Sequence, residues 1–231
     1  MHKLSMIKEN MDSSYVKQFS IEQLPEFCNQ IREKLIEIVS RTGGHIGVNL
    51  GVVELTVALH YTFDFPDDSL FWDVGHQIYV HKMLTGRLKK LETNRQNEGS
   101  PGYSFHKESI YDKVTSSHAG ASLSLGLGSA IGNQILKNNL YTISVIGDGS
   151  LVEGSSQEAL NHIAVENCKM LIILNDNERA IEENFGGLHE YLKKRQIGVE
   201  KQETYFSSLE IPYYGPIDGH NIDHLVPVLK N

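Results

Sequence analysis

The sequence predicts an α/β fold of three layers, with a mostly parallel sheet and helices on both of its faces. Residues 140–146 and 169–174 are apolar and rich in β-branched side chains, which is typical of buried strands. The stretch from about Leu151 to Glu166 lies between them and has helical periodicity. Two strands joined by one helix are expected to be parallel, so the loops that follow them meet at the carboxyl edge of the sheet.

Further helices are expected before this segment. Ser20 and Gln23 form a possible capping box at the start of the first one. The buried stripe of this helix comprises Leu24, Cys28, Ile31, Leu35 and Ile38. Asn49 is expected to cap a second helix, which is apolar on most sides. Residues 119–136 are small and apolar with three glycines, a composition that suits a helix packed very close to another backbone.

Weaker signals cover the rest of the chain. Residues 70–74 are typical of a strand, and residues 77–86 of a helix that ends at Gly86. Residues 92–117 lack a sustained period, and a loop of this length is usually functional or mobile. Residues 211–220 predict a short strand and a turn, followed by a last helix.

The 231 residues are enough for one α/β domain with a substantial core. We expect residues 1–19 to form a flexible N-terminal arm and residues 20–231 to form this domain. The two cysteines, Cys28 and Cys168, make neither a disulfide framework nor a metal site, and we expect both to be packing residues.

The charge and hydropathy of the chain exclude several classes of partner. The net charge is −8 with histidine neutral, which argues against a sequence-independent nucleic-acid binder. No apolar run approaches the roughly 20 residues that span a bilayer, so no membrane partner is expected. The N-terminal residues lack the apolar centre of a signal peptide, and we therefore expect a cytoplasmic protein.

Oxygen-bearing side chains follow the two central strands. Asp148 comes after the first strand between two glycines, and Asn177 comes just after the second. Carboxylate and amide oxygens suit Mg²⁺, which usually shares its coordination shell with phosphate oxygens. A helix N-terminus after Asp148 would favour an anion at the same place. The pair therefore predicts a metal-bridged diphosphate site, with a plain strand-to-helix turn as the alternative for Asp148.

Six strings, in chain order from about Leu24 to the C-terminus, closely resemble the 1-deoxy-D-xylulose 5-phosphate synthase family of the transketolase superfamily. They are SRTGGHIGVNLGVVELTVALHYTFD, FWDVGHQIYVHKMLTGR, YDKVTSSHAG, VIGDGSLVEGSSQEALNHIA, LIILNDNE and YYGPIDGHN. The resemblance implies the diphosphate-binding domain of the thiamine-diphosphate-binding fold. An unrelated nucleotide-binding domain is disfavoured, because neither G-x-G-x-x-G nor G-x-x-x-x-G-K-[ST] is present.

The resemblance assigns roles to individual positions. It implies Mg²⁺ ligation by the side chains of Asp148 and Asn177 and by the backbone carbonyl of Arg179. The positions that would contact thiamine diphosphate are His76, Ser117, His118, Ala119, Gly149, Ser150 and Asn177. His45 and His76 would face the reaction centre. A lone histidine beside a glycine is more often structural, but three such loops favour one shared cleft.

The family couples pyruvate with glyceraldehyde 3-phosphate, with loss of CO₂, and serves isoprenoid and thiamine biosynthesis. Thiamine diphosphate supplies the carbanion chemistry, and the protein binds and orients it. Neutral imidazoles such as those of His45 and His76 can pass protons to and from alkoxide groups.

The chain also departs from the family pattern. It stops at Asn231, before the second domain, which carries the glutamate that activates the cofactor. The stretch between Gly187 and Tyr213 is shorter than usual. Ser117 and Ala119 replace glycine and serine, and Arg179 begins a divergent segment.

Two hypotheses follow from these departures. The first is a split enzyme, active with a second polypeptide that carries the pyrimidine-binding domain; its donor is pyruvate, or a ketose as in transketolase. The second is a catalytically inactive truncated domain that binds the cofactor weakly. Homo-oligomers are usual in the superfamily, and a homo-oligomer is compatible with both hypotheses.

Overall fold

A computed structural model describes residues 5–177, 182, 184–196 and 204–230. Its strands are Ser69–Trp72 (β1), Thr142–Gly147 (β2) and Met170–Asn175 (β3). Its helices are Leu24–Thr42 (α1), Ile46–Leu50 (α2), Val53–Thr62 (α3), Tyr79–Lys82 (α4), Leu88–Leu91 (α5), Ser122–Ile135 (α6), Asp148–Leu151 (α7), Gly154–Ile163 (α8), Gly187–Gln196 (α9) and Ile222–Lys230 (α10). Short 3-10 turns cover Tyr15–Gln18, Ile21–Gln23 and Ser207–Leu209.

The chain folds into two compact units, each built from separate stretches of sequence. The first unit comprises Met1–Asp68, Gly75–Ser117 and Asp218–Asn231. The second unit comprises Ser69–Val74 and His118–Ile217, and it contains all three described strands.

The sheet of the second unit is parallel throughout, in the order β1-β2-β3. The predicted α/β class with a parallel sheet is confirmed, and the strand bounds differ from the prediction by one or two residues. Gly147 pairs with Asn175 at the end of the β2–β3 ladder. The chain thus leaves both strands side by side at the carboxyl edge of the sheet.

Helix α6 packs against the sheet through one of its glycines. A Cβ atom on Gly126 would collide with the hydroxyl of Ser144 on β2 and would lie 2.9 Å from Cε of Met170 on β3. The predicted close approach of backbones is thus confirmed at Gly126. Gly128 and Gly132 face open space, so close packing does not explain them.

The first unit has a helical core. The predicted apolar stripe of α1 is confirmed, since all five of its residues are buried. Gln23 Oε1 accepts a hydrogen bond from the Ser20 amide at 2.9 Å, as a capping box requires. Every residue of α3 from Val53 to His60 is buried, as expected for a helix that is apolar on most sides.

The N-terminal segment is packed into the first unit, in contrast to the predicted flexible arm. Met11 and Val16 have no solvent exposure. The hydroxyl of Ser13 donates a hydrogen bond to the carbonyl oxygen of Phe65 at 2.6 Å. The described residues from Met11 to Val16 are therefore part of the first unit, because their apolar side chains complete its core.

Two predicted elements were wrong in detail. The helix after β2 begins at Asp148 itself and is interrupted between α7 and α8. The predicted helix end at Gly86 is confirmed, because Thr85 and Gly86 have non-helical backbone angles within the π-turn Met83–Arg87 that joins α4 to α5. No strand forms between residues 211 and 218, which are fully described. No described helix has the length and apolar character needed to cross a membrane.

Candidate functional site

The carboxylate of Asp148 is buried at the carboxyl edge of the second unit's sheet. Asp148 is the first residue of α7 and is 2% exposed. Its Oδ2 accepts a hydrogen bond from Nδ2 of Asn184 at 3.2 Å. Burial raises its pKa, the Asn184 hydrogen bond opposes this, and the negative charge of Asp176 raises it further. Asp148 is thus a buried residue at the strand-to-helix turn.

Asn177 lies in the neighbouring loop. It is exposed and comes two residues after the end of β3. The β2–β3 register, together with the effect of Asp176 on the Asp148 carboxylate, places this loop next to the Asp148 turn. Arg179, the third expected ligand, lies outside the described residues.

The donor set fits Mg²⁺. No described lysine, arginine or histidine forms an ion pair with Asp148, so this buried carboxylate has no basic partner within the described part of the chain. The same residues contain no group of three or more His, Cys, Asp or Glu side chains that could hold a metal ion. A magnesium–diphosphate site does not need such a group, because phosphate and water oxygens complete its octahedral shell.

Gly149 and Ser150 follow Asp148 within α7 and are partly exposed. The carbonyl oxygen of Ser150 accepts a hydrogen bond from Oγ of Ser156 at 2.7 Å. The turn is therefore held from the direction of α8, while its outer surface stays accessible to a ligand.

The loop of His118 and Ala119 belongs to the same unit and depends on Asp73, which sequence reasoning missed. His118 and Ala119 are exposed. The carboxylate of Asp73, just after β1, accepts the amides of Gly120 at 3.0 Å and Ser122 at 2.9 Å. Asp73 thus caps α6 from 47 to 49 positions earlier in the chain, and no local signal could have revealed it.

Two of the three predicted histidines meet in the first unit. The rings of His45 and His76 are arranged edge to face, with centroids 5.6 Å apart. The hydroxyl of Tyr103 lies 3.4 Å from Nε2 of His45. Burial lowers the pKa of His45, and the charge of Arg95 adds to this effect, so the neutral imidazole is favoured.

Asn49 organises this pair of histidine loops. Its Nδ2 donates hydrogen bonds to the carbonyl oxygens of His45 at 2.7 Å and His76 at 2.8 Å. Its Oδ1 accepts the amide of Tyr79 at 2.9 Å. The prediction that Asn49 caps a helix was wrong: it lies inside α2, fully buried, and its side chain bonds to distant loops instead.

The long loop at residues 92–117 is anchored by buried charges. Nζ of Lys82 lies 2.7 Å from the Glu108 carboxylate and donates to Oγ of Ser100 at 3.0 Å. Arg87 pairs with Glu108 at 3.1 Å and with Asp112 at 2.8 Å. Burial lowers the pKa of Lys82, and its bond to Glu108 opposes this. The loop that carries Tyr103 is therefore firmly attached to the first unit.

The structure thus gathers the predicted residues in two groups. Asp148, Gly149, Ser150 and Asn177 lie at the carboxyl edge of one sheet, and His118 and Ala119 belong to the same unit. His45 and His76 meet in the other unit, which also contains Ser117, an exposed residue. The functional roles of all these residues remain predictions.

Comparison with known proteins gives the family. The sequence profile described as 1-deoxy-D-xylulose-5-phosphate synthase matches residues 4–202 and 194–231. The enzyme of that name from Listeria monocytogenes serotype 4b is 44% identical over 226 residues, which are 95% of this chain and 37% of the relative. The one from Buchnera aphidicola is 43% identical over 215 residues, 91% of this chain and 37% of the relative.

Solved structures give the same fold. A transketolase from Leishmania mexicana superimposes with a TM-score of 0.72 at 22% identity, over 91% of this chain and 34% of the other. A transketolase variant from Pichia stipitis superimposes with a TM-score of 0.59 at 22% identity, over 71% of this chain and 28% of the other. The chain spans little more than a third of the length of the curated relatives named above. It belongs to the 1-deoxy-D-xylulose-5-phosphate synthase family.

Proposed function

We propose that this chain binds thiamine diphosphate and Mg²⁺ as the N-terminal, cofactor-binding part of a 1-deoxy-D-xylulose 5-phosphate synthase. The observation that carries the proposal is the buried Asp148 carboxylate, which has no basic partner among the described residues and lies beside the Asp176–Asn177 loop. Asp148 and Asn177, with the carbonyl of Arg179, would hold the metal ion. Mg²⁺ would neutralise both the carboxylate and the diphosphate.

The remaining contacts of the cofactor are proposed from the family resemblance. Gly149 and Ser150 would border the diphosphate, which suits their partly exposed backbone. Ser117, His118 and Ala119 would line the cofactor, and all three are exposed. Ser117 adds a hydroxyl group where the family has glycine, and Ala119 lacks the hydroxyl group of the family's serine.

The proposed reaction is the coupling of pyruvate with glyceraldehyde 3-phosphate to give 1-deoxy-D-xylulose 5-phosphate and CO₂. Bound thiamine diphosphate supplies the carbanion chemistry. His45 and His76 would hold and release protons at substrate oxygens, and the lowered pKa of His45 keeps its imidazole neutral for that task. Because the relatives are more than twice as long, the reaction is proposed for this chain together with the rest of such a protein, in the same or a second polypeptide.

Calorimetric titration of thiamine diphosphate into the chain, with and without Mg²⁺, tests the binding proposal. We expect saturable binding that requires the metal ion. A chain that binds neither thiamine diphosphate nor Mg²⁺–pyrophosphate would be an inactive relative, contrary to the proposal.

A second assay tests the substrate. The chain is combined with a polypeptide that supplies the remaining domains of a relative, and CO₂ release from pyruvate is measured with glyceraldehyde 3-phosphate present. A mixture that uses a ketose donor and leaves pyruvate untouched would instead assign a transketolase reaction.

A further inference from the structure

Two adjacent serines at the start of α8 hold two different loops of the second unit. Oγ of Ser155 donates a hydrogen bond to the carbonyl oxygen of Gly120 at 3.1 Å. Oγ of Ser156 donates to the carbonyl oxygen of Ser150 at 2.7 Å. One loop contains His118 and Ala119, and the other is the Asp148 turn. Both loops are thereby attached to the same turn of one helix.

Neither serine serves the helix to which it belongs. The N-cap residue of α8 is Glu153, and no side chain caps this end of the helix. The amide of Ser156 bonds to the carbonyl oxygen of Glu153 at 3.0 Å, within the helix. The two hydroxyls are therefore directed away from α8, which a purely local capping role would not require.

The carboxylate of Asp73 also holds the first loop. The carboxylate accepts hydrogen bonds from the amides of Gly120 and Ser122. The backbone amide of Asp73 donates to the carbonyl oxygen of Val145 on β2 at 2.8 Å. Asp73 is 5% exposed. Both backbone polar groups of Gly120 are thus bonded to side chains, the amide to Asp73 and the carbonyl to Ser155.

The backbone of Gly120 lies so close to α8 that there is no room for a side chain. Its φ is +77°, in the left-handed region. A Cβ atom there would lie 2.6 Å from Oγ of Ser155 and 2.8 Å from Cβ of Glu153. The loop is therefore in close contact with the same turn of α8 that holds the Asp148 turn.

We infer that Asp73, Ser155 and Ser156 are positioning residues that set the distance between the His118–Ala119 loop and the Asp148 turn. The inference rests on the proposed function, because both loops carry residues proposed to contact thiamine diphosphate. None of the three side chains needs to touch the cofactor. They act through the backbone of Gly120, Ser122 and Ser150, so their loss loosens the spacing that the cofactor requires.

The test compares S155A/S156A and D73N with the wild-type chain. The dissociation constant of thiamine diphosphate is measured by calorimetry at saturating Mg²⁺, and unfolding by urea is measured without ligand. We expect both variants to weaken cofactor binding about 10–100-fold, as supporting hydrogen bonds around metal and ligand sites typically do. The conservative variant S155T keeps the hydroxyl at an exposed position and should bind the cofactor about as tightly as the wild type.

The matched control is S208A. Oγ of Ser208 donates a hydrogen bond to the carbonyl oxygen of Tyr205 at 2.7 Å, a side-chain to backbone bond in the same unit that joins near neighbours in sequence and supports neither loop. This variant should bind the cofactor like the wild type. Wild-type binding with unchanged affinity in S155A/S156A and D73N would overturn the positioning role alone. A wild-type chain that does not bind the cofactor would overturn the proposed function, and the positioning role with it.

Discussion

Lys82 and Glu108 form an ion pair in which both charged side chains are almost completely removed from water. Their Nζ and Oε2 atoms are 2.7 Å apart, and the side chains are 0% and 1% exposed. The Glu108 carboxylate also forms an ion pair with Arg87 at 3.1 Å and accepts a hydrogen bond from the hydroxyl of Ser100 at 2.9 Å. A buried carboxylate with these partners holds the 92–117 loop against α4 and the π-turn that follows it.

Glu108→Gln should therefore destabilise the protein strongly. The change leaves the buried charges of Lys82 and Arg87 with fewer partners, which typically costs about 3–5 kcal/mol. The free energy of unfolding by urea measures the effect. Glu98→Gln is the control, since Glu98 is exposed in the same loop and has no ion pair in the described part of the chain. Equal, small effects of both changes would show that the buried network contributes little.

Stability should fall in mild acid because of two buried histidines. Nε2 of His60 lies 2.9 Å from Nδ1 of His81, and both residues are buried. Burial lowers the pKa of His60 from 6.5 to about 4 and that of His81 well below 6.5, so the unfolded chain binds protons more readily than the native one.

The sign of this dependence follows from proton binding. The full stabilisation is present above pH 6.5 and is lost as the pH falls towards 4, with about 3 kcal/mol from His60 alone. Urea unfolding at a series of pH values measures the slope. His60→Gln should flatten it, whereas His224→Gln, at an exposed position, should leave it unchanged. An equally steep slope in His60→Gln would assign the acid sensitivity to other groups.

Asp148→Asn should weaken metal-dependent binding without harming the fold. Burial already raises the pKa of this carboxylate, so removing its charge should leave the free energy of unfolding unchanged or slightly higher. Binding of thiamine diphosphate with Mg²⁺ should weaken by at least about tenfold, because the carboxylate's main proposed partner is the metal ion. Calorimetry and urea unfolding separate the two effects.

The exposed residue Asp223 provides the control for this change. Asp223→Asn should alter neither binding nor stability by a measurable amount. If Asp148→Asn lowers stability without ligand and leaves cofactor binding intact, Asp148 is a structural turn residue.

Asn49→Asp should disturb the histidine pair more than its small change in volume suggests. A carboxylate accepts the Tyr79 amide but cannot donate to the carbonyl oxygens of His45 and His76, which would then face a buried acceptor. We expect a loss of about 2–4 kcal/mol in unfolding free energy. The imidazole proton signals of both histidines should also shift, as measured by NMR. Asn97→Asp, at an exposed position, should have neither effect.

Local patterns in the sequence were sufficient for the fold class and for most elements. The stripe of α1 and the strands β2 and β3 follow from the periodicity of apolar residues, which is a property of neighbouring positions. The order of these strands also places Asp148 and Asn177 at one edge of the sheet, because connected parallel strands leave their following loops there. The family was evident from the distinctive strings of the sequence alone.

The supporting contacts of the candidate site were decided only by the tertiary structure. Asp73 caps a helix far along the chain, Asn49 bonds to two histidine loops, and Lys82 pairs with Glu108 across the long loop. Each is a hydrogen bond or ion pair between residues distant in sequence, whose side chains have several possible partners until the backbone is folded. The sequence by itself therefore determined the fold class and predicted which residues bind a cofactor, and the packing of the chain decided which other residues hold them in place.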